Sequence, residues 1–142
     1  MHLRNPHFED KDCLLDALCK PLFDHALVAA QENTHTHGNI ENEPVLLRVL
    51  FHLKEDERGM RALLARDTSG VALRHFTQGV ENLVRAGALG KSLPQDVPED
   101  YATHYLARSY VDTIDWWFVN GMAMELEDVY EAWWRMASPS LE

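Results

Sequence analysis

The residues best equipped for chemistry in this chain are its eight histidines. His35-Thr36-His37 places two imidazoles one residue apart, with Glu32 near and His25 one or two helical turns upstream. Such a pair can chelate a divalent ion, but a zinc site takes three or four ligands at recognised spacing, so the pair reads as a solvated loop and no metal is expected. His52, His75 and His104 lie in separate apolar-periodic segments and read as core or surface histidines. A di-iron bundle would need Glu-x-x-His on paired helices, and that motif does not recur. Nucleophilic chemistry has no better footing. There is no Gly-x-Ser-x-Gly, no glycine-rich phosphate loop and no cysteine beside a plausible base. Cys13 and Cys19 would be rotated by about 600° along a helix, onto different faces, and read as reduced thiols. The expectation is a protein with no enzymatic activity and no cofactor.

The elements that would carry these residues are helical. A chain of 142 residues suits one domain with its own core. Leu15, Leu18, Leu22, Ala26 and Ala29 form an apolar ladder within a helix of about residues 10–33, kinked near Pro21. Polar residues from Thr34 to Glu43 read as a loop. Pro44 opens a short helix through Leu46, Leu50 and Leu53, and Lys54 to Glu57 ends or bends it. Met60, Leu63 and Leu64 mark another helix, ending at Arg66. Asp67, Thr68 and Ser69 then offer caps for a helix carrying Leu73, Phe76, Val80 and Leu83, closed by Gly87 and Gly90. Pro98 with Glu99 and Asp100 starts a long helix to Val119, stopped by Asn120-Gly121, and a last helix spans about Glu125 to Ala137. No segment alternates as a strand would. The fold class expected is all-α, a bundle of about six helices spanning residues 1–140, with Leu141-Glu142 a cloning remnant.

Charge and length exclude several partners. The 13 Lys+Arg against 23 Asp+Glu leave a formal charge of −10, a poor basis for gripping a phosphate backbone. The longest apolar runs, Ala26 to Ala30 and Trp116 to Val119, fall far short of the ~18 residues of a membrane span. Met1 to Asp12 is polar and lacks the apolar stretch of a signal peptide, so a cytoplasmic location is expected.

The last two helices hold an apolar surplus. Trp116-Trp117 and Trp133-Trp134 are adjacent pairs, and neighbouring helical residues point about 100° apart. One member of each pair can enter the core while the other needs a different cover. A symmetric second copy supplies it, with two helices from each subunit forming a four-helix bundle about a two-fold axis. The interface residues expected are Ile114, Trp117, Val129, Tyr130, Trp133 and Trp134.

Phe51 to Asp56, then Met60 to Leu64, then Phe76, then Trp116-Trp117 before Asn120-Gly121-Met122 and an acidic-starting final helix, form a pattern that resembles the regulatory domain of tetracycline-repressor (TetR) family transcription factors. The likeness runs from Leu14 to Met136. The family's Ser-Pro-Glu-like helix start is replaced by Ala123-Met124-Glu125-Leu126, where Glu125, Glu127 and Asp128 still suit a helix N-terminus. The resemblance implies an effector-sensing and dimerisation domain whose last two helices form the dimer bundle. It also implies a DNA-binding head of about 50 residues with a helix-turn-helix, lying outside these 142 residues. The effector pocket it implies draws on His25, Phe51, Phe76, Val80, Tyr105 and Tyr110. The expected partners are a second copy and a small-molecule effector, with DNA reached only through the absent head. The competing expectation is a stand-alone metal-binding helical bundle using His25, His35 and His37.

Overall fold

Proline placement sets where the principal helices begin. In the computed structural model, which describes residues 23–31, 43–67 and 69–141, Pro44 and Pro98 each stand one residue ahead of a helix with extended ψ. Their carbonyls accept the first bonds of the turn that follows, from Arg48 and Ala102. Residues 23–31 form α1. It is followed by α2 (Val45–Glu55), α3 (Glu57–Arg66), α4 (Val71–Arg85), α5 (Glu99–Val119), α6 (Leu126–Ala137) and a closing 3-10 turn, Ser138–Ser140. Every regular element among the described residues is a helix, as the spacing predicts. The first helix's upstream half, its kink at Pro21, both cysteines, His35 and His37 lie outside the described residues.

Asp56 alone separates α2 from α3, and the amide of Met60 bonds to its carbonyl at 2.9 Å, so Lys54 to Glu57 bends the chain without interrupting it for long. Asp67 organises the start of α4. Its two carboxylate oxygens accept the amides of Ala72 and Leu73 at 3.1 and 3.2 Å, satisfying donors that the helix itself cannot.

Two glycines close the longer helices in one way. At the end of α5, Gly121 takes φ +71° and its amide bonds to the carbonyl of Phe118, while the amide of Met122 bonds to that of Trp117. Gly87 repeats the pattern at the end of α4, with φ +92° and bonds to Val84 and, through Ala88, to Leu83. The left-handed conformation that both turns require costs an L side chain about 1–2 kcal/mol, which explains glycine at each.

The core lies between α4 and α5, with α1, α2 and α6 closing it. Phe23 of α1 stacks on Phe76 of α4 with ring centroids 4.4 Å apart. From α5, Leu106, Tyr110, Ile114 and Trp117 point inward at steps of four, four and three. Tyr110 donates its hydroxyl to the carbonyl of Leu46 at 2.6 Å and meets Trp133 edge-on at 5.2 Å, tying α5 to α2 and α6 at one point. Leu141 is buried in the same core, so this side chain serves the fold although the sequence reading sets it aside as a remnant.

Candidate functional site

The outward face of α5 is where this molecule departs from an ordinary soluble surface. Tyr101, Tyr105, Arg108, Asp112, Trp116 and Val119 recur at steps of three or four and share one side of the helix. Four of the six are large apolar residues left to solvent: Tyr101 62%, Tyr105 56%, Trp116 51% and Val119 77% exposed. Met136 on α6, 84% exposed, and Met124 in the turn before α6 extend the patch. Between α5 and α6 runs an open groove of about 460 Å³, lined by Tyr105, Asp112, Trp116, Met124, Trp133 and Met136 among others.

Each tryptophan pair splits as the 100° rule requires, but the phase differs from the expectation. Trp117 is 1% exposed, its indole Nε1 donates to the carbonyl of Met124 at 2.8 Å, and Lys54 Nζ sits 5.9 Å from its ring centroid. Trp116 is the outward member. Trp133 is buried and donates Nε1 to the Ser109 hydroxyl at 2.9 Å, while half-buried Trp134 stacks on Tyr130 and lies under Lys91 Nζ. Of the six interface residues expected, Ile114, Trp117, Val129 and Trp133 are thus buried within the single chain, and Tyr130 and Trp134 are half-buried. The physical reason is helical phase. Ile114 and Trp117 continue the Leu106–Tyr110 row that α2, α4 and α6 already cover. No described element covers the row with Tyr101, Tyr105 and Trp116.

Comparison with protein-family models, curated proteins and solved structures finds no match.

The six residues assigned to an effector pocket do not gather in one place. Phe76, Val80 and Tyr110 are core residues. Phe51 is half-buried and His25 exposed, both near His52: the His25 ring lies 5.9 Å from that of His52 and the Phe51 ring 6.3 Å. Tyr105 faces the opposite way, on the open stripe, because five residues along a helix turn it about 140° from Tyr110. What spacing did not single out is the polar pair inside the core. Arg48 and His52 are buried one turn apart on α2. Leu46, Val49, Leu50 and Leu53 hide that pair in the sequence, since the helix reads as plainly apolar.

Electrostatics around α5 and α6 follow burial. Desolvation raises the Tyr110 hydroxyl well above the ordinary tyrosine range, with the nearby Tyr130 adding to it. Burial, and secondarily the charge of Glu131, pushes Tyr130 up to about 12. Both hydroxyls therefore stay protonated at neutral pH, and that of Tyr110 donates to the Leu46 carbonyl. On the exposed edge, His104 Nδ1 lies 2.9 Å from Glu81 and Arg108 Nη2 lies 3.7 Å from Asp112. Among the described residues no three His, Cys, Asp or Glu side chains gather as a metal would require. None of the described helices is long and apolar enough to cross a membrane.

Proposed function

We propose that this chain is the effector-sensing and homodimerising domain of a TetR-like transcriptional regulator, whose DNA contacts reside in a helix-turn-helix head outside these 142 residues. The observation that carries the reading is the apolar stripe on α5 and α6, where Trp116 and three further large side chains of one helix meet water on one face. Large apolar side chains grouped on one exposed face mark an interaction surface, and a two-fold copy of the same face is the simplest cover.

The effector half of the proposal draws support from Arg48 and His52. Ligand sites combine apolar walls with a few placed polar groups, and α2 carries these two buried, with His25 of α1 beside His52. An effector reaching them from between α1 and α2 would favour one arrangement of those helices against α4 and α5. Through α5 that preference would reach the dimer bundle and the spacing of the two heads. Couplings of this kind are worth about 1–3 kcal/mol.

Sequencing the genomic DNA upstream of the Met1 codon tests the assignment. The expected result is an open frame continuing for about 50 codons that encode a three-helix head. An in-frame stop codon within that distance would refute the regulator reading.

A further inference from the structure

The outward stripe of α5 reads nearly the same from either end. Counted from Tyr110, Arg108 and Asp112 stand two residues to each side, Tyr105 and Trp116 five and six, and Tyr101 and Val119 nine. We propose that two copies of α5 pack antiparallel about a two-fold axis beside position 110, each Arg108 facing the partner's Asp112, each Tyr105 the partner's Trp116 and each Tyr101 the partner's Val119. This register rests on the homodimer reading and specifies its geometry.

Charge complementarity selects it. In an antiparallel two-fold pair, opposed positions have a constant sum, so residues symmetric about the axis meet. A parallel pair would oppose each residue to itself, Arg108 to Arg108 and Asp112 to Asp112, and like charges held in contact are unfavourable. Arg108 already lies 3.7 Å from Asp112 of its own chain, one turn along the helix, with both side chains about half exposed. In the antiparallel register these four groups alternate in sign around the axis and form a closed ring. The apolar side chains fall outside that ring, at both ends of the contact. There each tyrosine covers an aliphatic or indole surface that one chain leaves wet, and Met136 flanks the stripe from α6. The charged centre and aromatic ends would fix register, because a slip of one turn sets Arg108 against the partner's Arg108 or Asp112 against the partner's Asp112.

Disulfide trapping tests the register. Cys13 and Cys19 are first replaced by serine, and Tyr101→Cys and Val119→Cys are introduced singly and together. Within one chain these positions are about 27 Å apart along the helix, beyond the reach of a disulfide, so only a partner can close the bond. Under mild oxidation the double variant should become a covalent dimer, and neither single variant should. Covalent dimers from the single variants, or a ladder of higher multimers from the double, would overturn the register. Light scattering on the unmutated chain separates the two levels of failure: a dimer that the double variant cannot trap sinks the register alone, and a monomer sinks the homodimer as well. An independent check uses charge. Asp112→Arg and Arg108→Asp should each weaken self-association about tenfold or more, and mixing the two variants should restore it as a heterodimer. Self-association of either variant equal to the parent's would count against the ring.

Discussion

Adjacent tryptophans with opposite fates give the sharpest mutational contrast. Trp116→Ala removes a side chain that is 51% exposed. Half of the roughly 250 Å² of a tryptophan is about 125 Å², which at about 25 cal/mol per Å² is about 3 kcal/mol of burial available per protomer on dimerisation. Two protomers contribute, and the costs of association consume part of the gain, so a rise in the dimer Kd of at least about a hundredfold is expected. The fold itself should hardly notice, since exposed substitutions cost within about 0.5 kcal/mol. Trp117→Ala, one residue on, empties a core site and frees the Met124 carbonyl that the indole bonded at 2.8 Å. Its cost is about 3–5 kcal/mol in the monomer, a fall in Tm of roughly 10–20 °C. Sedimentation velocity over a dilution series reads the first effect, and far-UV melting of dilute samples the second. The reasoning fails if Trp116→Ala leaves the dimer intact while Trp117→Ala separates it at unchanged Tm.

Other expectations follow from local geometry. Asp67→Ala deprives the amides of Ala72 and Leu73 of their acceptor and should cost about 1 kcal/mol, read as a drop of a few degrees in Tm, whereas Asp67→Asn should retain part of the loss. Gly121→Ala forces a Cβ into φ +71° and should cost about 1–2 kcal/mol by denaturant titration; because open space surrounds that position, a cost near zero would show that the turn relaxes. Alkaline pH should weaken the fold. The folded chain holds the Tyr130 proton more tightly than an unfolded tyrosine does, so this stabilisation is complete below about pH 10 and is lost as pH rises through 10 toward 12. Tyr130→Phe should flatten the fall in Tm between those values, and an unchanged slope would contradict the assignment.

Helix boundaries were legible because the punctuation is chemical. Pro44, Pro98, Gly87 and Gly121 act through φ and missing or freed amides, which a sequence displays directly. Asp67 announces a cap, though its carboxylate works from three residues ahead of Gly70, the residue that precedes α4. The phase of the long helix was less legible. From Tyr101 to Val119 apolar residues occur all the way round α5, so spacing alone does not say which row is core. The polar members decide it: Arg108 and Asp112 belong to the Trp116 row, and that row is the one facing water. The candidate pocket failed to assemble for a related reason. Phe76, Val80 and Tyr110 have the residue types of a ligand wall, but equally those of a core, and only tertiary packing separates the two uses. Arg48 is not singled out by the sequence, and His52 reads there only as a core or surface histidine, because burial of a polar side chain leaves no trace in apolar periodicity.

The central claim is that the α5–α6 face is covered by a second copy, and mass in solution tests it most directly. Sedimentation equilibrium of the unmutated chain across a micromolar dilution series should give twice the 16.3 kDa of one chain, falling toward the single mass only at the lowest concentrations. A constant 16.3 kDa up to the highest concentration would contradict the account, leaving Tyr101, Tyr105, Trp116 and Val119 exposed with no partner to explain them.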